Sequence, residues 1–208
     1  MESYSLLIAA TLNAGTVLAL ASLGLLINEK VGIVNLGAEG MMLCAAIAGF
    51  ATVVYTGNDW LGFSAGIVVG AALAAVFGLL VIWLNTNQFA TGLALTLFGT
   101  GFSAFVGTAY VQAKIPERPS FAIPGLADIP LVGPALFRHH PLVYLTVVFA
   151  LALIWFMYRT RSGLVMRSVG ESPESAHALG YPVRRIRLLA VMAGGGLCGL
   201  AGAYLSII

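Results

Sequence analysis

Six long apolar stretches alternate with short polar ones along this chain: residues 5–27, 31–55, 60–84, 89–111, 142–158 and 188–208. Within them Glu39 is the only formally charged residue. A membrane span needs about 20 apolar residues to cross about 30 Å of hydrocarbon, and each stretch is of that order. Period-two alternation is absent and the runs are too long for barrel strands, so the pattern predicts helices. Trp60 and Trp83 bracket the third stretch. At 1.5 Å per residue they lie about 34 Å apart, the separation of two interfacial aromatic belts. The expected fold is all-α: a polytopic membrane helix bundle of six transmembrane helices.

Composition narrows the function classes. Apolar residues make up 60% of the chain and charged ones only 9%, against roughly a quarter charged in soluble domains. A cofactor-using soluble enzyme is thereby excluded, and no catalytic residue or cofactor is expected. The net charge of +2, without basic tracts, argues against a nucleic-acid partner. Cys44 and Cys198 both sit in apolar runs, so neither a disulfide framework nor a metal site is implied.

Lysine and arginine orient the bundle. The 159–187 connection carries Arg159, Arg161, Arg167, Arg184, Arg185 and Arg187, whereas the 112–141 connection carries Lys114, Arg118 and Arg138. The richer loop is placed in the cytoplasm, and counting back through five spans puts the N-terminus outside. The first stretch is read as a retained span, because residues 1–4 hold Glu2 and no lysine or arginine. Six of the eight prolines fall between Pro116 and Pro141, so that connection is expected as extended turns with a short interfacial element. It serves either as a structured lid or as a docking surface for an external partner. Glycines cluster on the spans at Gly66/Gly70, Gly99/Gly101 and Gly194–Gly196, a pattern that lets helices approach closely in lipid.

Two polar stretches are candidates for function. In Val31-Gly-Ile-Val-Asn-Leu-Gly-Ala-Glu-Gly-Met-Met, the uninterrupted apolar part of span two, residues 41–55, is only about 22 Å long. The preceding residues must enter the membrane region and bring Asn35 and Glu39 with them. An ionisable residue there is a functional candidate, and Gly32, Gly37 and Gly40 suit a broken backbone. The competing expectation is structural: Glu39 near the cytoplasmic interface, capping a helix end or paired with Lys30, and holding the broken segment together with Asn35.

The second stretch lies within 159–187. Ser172 is an N-cap, Pro173 an N1 residue, Glu174 a first-turn acid and Gly180 a stop followed by Pro182. Residues 173–179 are therefore expected as a helix of about two turns, too short to stand alone in water. It packs either on its own bundle or against a partner as a cytoplasmic docking knob, with His177 a surface residue. Neither of the two lysines, Lys30 and Lys114, sits in a GxxxxGK[ST] loop, so no P-loop binds ATP here.

The first motif, together with Val169-Gly-Glu-Ser-Pro-Glu-Ser-Ala-His-Ala-Leu-Gly-Tyr-Pro-Val and the Gly-rich span after it, resembles the inner-membrane permease subunits of bacterial ABC importers. The likeness is to the nucleoside and simple-sugar branch, related to branched-chain amino-acid permeases, and it runs nearly the whole chain. It implies an ATP-binding partner subunit that hydrolyses ATP, a second permease subunit (homo- or heterodimeric) and an extracellular substrate-binding lipoprotein. It also implies a multi-pass location in the inner (plasma) membrane. By the resemblance, Glu171, Pro173, Ala176, Leu179 and Gly180 form the coupling helix, with Ala176 and Leu179 as apolar contacts and Glu171 as a polar anchor. Residues 1–208 are expected as a single transmembrane permease domain lacking the family's C-terminal helices. The rival readings are an ATP-independent channel or secondary carrier with Glu39 as ion relay, and a non-transporting membrane scaffold.

Overall fold

A computed structural model describes residues 2–115 and 139–208. The proline-rich connection, from residue 116 to residue 138, lies outside the described residues. Among the described residues, six helices are long and apolar enough to cross a membrane: α1 (Glu2–Lys30), α2 (Ala38–Thr56), α3 (Asp59–Ile82), α4 (Gln88–Gly107, continued by a 3-10 turn at Thr108–Tyr110), α5 (Pro141–Arg159) and α8 (Val183–Ile207). Two shorter helices, α6 (Arg161–Glu171) and α7 (Pro173–Ala178), lie between α5 and α8.

All six expected spans are present, and no strand occurs among the described residues. The boundaries differ where local chemistry overrides hydropathy. Span two begins at Ala38, because residues 31–37 leave the helical path. The last helix begins at Val183, so Arg184, Arg185 and Arg187 ride on its first turns. Asparagine side chains cap two starts: Asn58 accepts from Trp60 N, and Asn87 accepts from Phe89 N and Ala90 N, each satisfying an otherwise orphan donor.

The inner helix is α8. In its apolar window 67% of the residues are buried, against 11% for α4 and 17% for α5. It packs against α1, α2 and α3, while α4 leans on α2 and α5 on α1. The reason is the absence of side chains. A Cβ on Gly66 would fall 2.9 Å from Gly199 O. One on Gly199 would collide with Gly66 O, and one on Gly24 with Gly194 O. Since lipid is as apolar as leucine, such backbone contact contributes dispersion that bulkier residues would forfeit.

The ends of the bundle are distinct. At one end, His140 meets the rings of Trp60 and Phe63 at centroid distances of 5.9 and 5.4 Å, and Tyr204 donates to Asn13 Oδ1 at 3.1 Å. At the other, the backbone of Gly170 packs on Lys30 and Val31. Residues 31–37, the α3–α4 turn and the arginine-rich connection thus share one end, the cytoplasmic one by the charge asymmetry.

Candidate functional site

At the cytoplasmic end, α6 and α7 are built by their caps. Thr160 Oγ1 accepts from Gly163 N at 3.0 Å, and bare Gly163 lets α6 turn back closely against Met157. Arg167 lies over the Tyr158 ring, 4.8 Å from its centroid, and Arg187 donates to Val169 O at 3.5 Å. Ser172 caps α7, with Pro173 in its first turn. Gly180 takes φ +87° and Tyr181 N closes back on Ala176 O at 3.1 Å, so the left-handed stop expected from sequence is present.

The faces of α7 differ from the expectation in one respect. Ala176 is 2% exposed: it seats the short helix on its own chain and is not a partner-facing contact. The reason is geometric, since a six-residue helix needs one small residue turned inward to lie flat on the bundle. Leu179 is 75% exposed, and Glu171, Glu174, His177 and Gly180 also face outward. Between α7, the α3–α4 turn and the start of α8 opens a cavity of about 840 Å³, lined by Ile33, Trp83, Gln88, His177, Arg184 and Arg187 among others.

Residues 31–37 form the second part of the site. After α1, Val31 N and Ile33 N both turn back to Asn28 O at 3.2 and 3.1 Å, and Gly32 adopts φ +78°. Irregular backbone inside a membrane protein must find partners within the protein, and here they come from α4. Val34 N donates to Gln88 Oε1 at 3.1 Å, and Leu36 O accepts from Thr96 Oγ1 at 2.9 Å. Asn35, 3% exposed, accepts from Gly37 N at 2.9 Å through Oδ1. Asn35 therefore braces the turn that launches α2. Gln88 and Thr96, which complete the brace, were not singled out from the sequence. The one signal available was a polar run, Asn85-Thr-Asn-Gln, followed by a threonine in an apolar helix.

Glu39 behaves differently from Asn35. It occupies the first turn of α2 and is exposed, and no ion pair with Lys30 is found among the described residues. Its level along the bundle follows from the neighbours of the residues after it. A Cβ on Gly40 would fall 2.8 Å from Thr96 Cα, and Thr96 lies eight residues beyond the start of α4 at Gln88, about 12 Å along the axis. Met41 Sδ and Ala74 both neighbour Gly195, and Ala74 is likewise eight residues from the cytoplasmic end of α3 at Ile82. Two independent rulers agree. The first turn of α2 thus starts inside the ends of α3 and α4, and the Glu39 side chain leans back from there toward that end of the bundle.

Among the described residues no group of His, Cys, Asp and Glu is arranged to hold a metal. The family model described as branched-chain amino acid transport system / permease component matches residues 7–208. The chain belongs to this permease family. A Haloferax volcanii protein provisionally named a glucose ABC transporter permease is 48% identical, over 97% of this chain and 62% of its own length. A guanosine ABC transporter permease of Bacillus subtilis is 34% identical, over 97% of this chain and 67% of its own. A nucleoside ABC transporter permease of Lactococcus lactis is 29% identical, over 98% and 68%. The chain thus spans about two thirds of the length of these permeases. No solved structure matches it.

Proposed function

We propose that this chain is the membrane-spanning permease subunit of an ABC importer for a small polar solute, a sugar or a nucleoside. ATP hydrolysis takes place in a separate ATP-binding subunit. A second permease subunit and an extracellular substrate-binding lipoprotein complete the assembly in the plasma membrane. The relatives named for glucose, guanosine and nucleoside transport support the solute class.

The observation that carries the coupling role is α7 itself. A six-residue helix, capped at both ends and seated by Ala176, holds an exposed Leu179 at the cytoplasmic surface. Leu179 and Glu171 are the residues that meet the ATPase; Pro173 and Gly180 set the helix ends, and Ala176 keeps it in place.

The test is the complete transporter in liposomes. A P-loop ATPase should co-purify with the chain. Leu179→Arg should abolish solute-stimulated ATP hydrolysis without changing membrane insertion, because Leu179 touches solvent and not the bundle. Failure to recover an ATPase, or unchanged stimulation in Leu179→Arg, would overturn this reading.

A further inference from the structure

Resting on the permease reading, we infer that the solute passes along the face shared by α2 and α4, where Glu39 and Leu43 of α2 stand beside Thr100 and Ser103 of α4, and that this face selects a neutral, hydroxyl-rich solute over an anion.

The first argument is depth combined with exposure. Glu39 is exposed, and the backbone of the next residue, Gly40, packs beside Thr96, about 12 Å inside the start of α4. A carboxylate facing hydrocarbon at such a level is strongly disfavoured, so a charged group there faces water or a polar partner. Glu39, Leu43, Ala46 and Phe50 recur at helical spacing on one side of α2, and none of them is buried. Ala38, Met41, Cys44 and Ala45, on the opposite side, are buried against the bundle.

The second argument compares the two most exposed helices. Apart from tyrosines, α5 carries one hydroxyl residue, Thr146, and buries it at 4% exposure. Its outward residues include Val147, Val148, Leu151, Ile154 and Trp155, as expected of a lipid-facing surface. In contrast, α4 is less buried still yet carries Thr91, Thr96, Thr100 and Ser103. Thr96, Thr100 and Ser103 share one side by spacing, and Thr96 is the residue beside Gly40. The hydroxyl side of α4 and the Glu39 side of α2 therefore adjoin.

The third argument concerns hydrogen-bond polarity. Thr100 spends its proton on Thr96 O at 2.9 Å, and Thr96 spends its own on Leu36 O. Their oxygens turned outward can only accept, and the Glu39 carboxyl adds further acceptor oxygens. The face is thus rich in acceptors and suits a solute rich in O–H and N–H donors. The N-terminus of a broken helix ordinarily attracts anions; here Glu39 already sits in its first turn and offsets that partial positive charge.

Cysteine replacement tests the face without knowledge of the solute. The native cysteines, Cys44 and Cys198, are both buried and give little background. In membranes carrying the complete transporter, Leu43→Cys and Thr100→Cys should react with a charged methanethiosulfonate reagent, while Leu151→Cys on α5 should not. Uptake is measured with D-glucose and guanosine in parallel. Glu39→Gln, which replaces one acceptor oxygen by a donor, should lower uptake of the accepted solute tenfold or more, with assembly of the complete transporter unchanged. Thr100→Cys as unreactive as Leu151→Cys would overturn the inference, as would full uptake in Glu39→Gln. Neither result touches the coupling test at Leu179, so the two readings fail separately.

Discussion

Replacing Gln88 with leucine removes the acceptor that holds Val34 N at 3.1 Å and leaves that N–H without a partner. The side chain that supplies it comes from a helix 54 residues further along the chain, so nothing local can substitute. An orphaned buried donor costs about 1–3 kcal/mol, whereas interhelical hydrogen bonds in membrane proteins average about 0.6 and reach about 1.7 kcal/mol. Val34 is part-buried, which favours the middle of these ranges, about 1–2 kcal/mol. For a chain of this size each kcal/mol corresponds to about 2–4 °C in Tm, so Gln88→Leu should unfold about 2–8 °C earlier in detergent.

Gln88→Glu separates this bond from mere shape. It retains an acceptor oxygen at the same reach, and the cavity beside it holds Arg184, Arg185 and Arg187, so an added carboxylate is tolerated. Its Tm should stay close to that of the unmodified chain. Thr96→Val tests the companion bond to Leu36 O. Because both bonds hold residues 31–37, the double variant should lose less than the sum of the single losses. A thermal scan followed by tryptophan fluorescence reads the four variants against the unmodified chain. If Gln88→Leu and Gln88→Glu melt together, the Val34 bond is not what holds the break, and the account of residues 31–37 given above is wrong.

Two further outcomes are expected. Gly199→Leu should lower the yield of folded protein severely, because a side chain there meets the Gly66 backbone and overpacking costs about 1–3 kcal/mol or more; normal yield would refute the backbone-contact account of α8. Thr56→Cys should label with an impermeant thiol reagent from outside the cell and Thr86→Cys only after permeabilisation, and the reverse pattern would invert the orientation drawn from the arginines.

Helix count, helix type and the ends of α7 were legible in the sequence because each is a local property. Ser172, Pro173 and Gly180 act within a few residues of themselves, and hydropathy reports burial in lipid one span at a time. The stagger between α2 and α4 was not legible. It arises from glycine contacts such as Gly40 with Gly99 and Gly92 with Gly37, and no single-helix pattern encodes which glycine meets which. The sequence therefore leaves open how far inside the ends of α3 and α4 the first turn of α2 begins. Ala176 was misjudged for a related reason: in a six-residue helix, sequence does not say which small residue faces inward.

The stagger also ties the two candidate sites together. A Cβ on Gly170 would collide with Lys30 O and lie 3.2 Å from Val31 Cα, so α6 rests backbone on backbone where α1 gives way to residues 31–37. Side-chain rotation cannot absorb a displacement at such a contact. Movement of α7, which follows α6 directly, must therefore reach the segment that launches Glu39. Gly170→Ala should push α6 off this seat while leaving Leu179 on its exposed surface. In the proposed assembly an ATP-binding subunit should still bind, but fewer solute molecules should move per ATP hydrolysed, with a stability loss of about 1–3 kcal/mol from overpacking. Measuring uptake and hydrolysis in the same liposomes gives that ratio. An unchanged ratio alongside a lowered Tm would mean that the displaced contact transmits nothing, and any path between the two candidate sites would have to run through α8 instead.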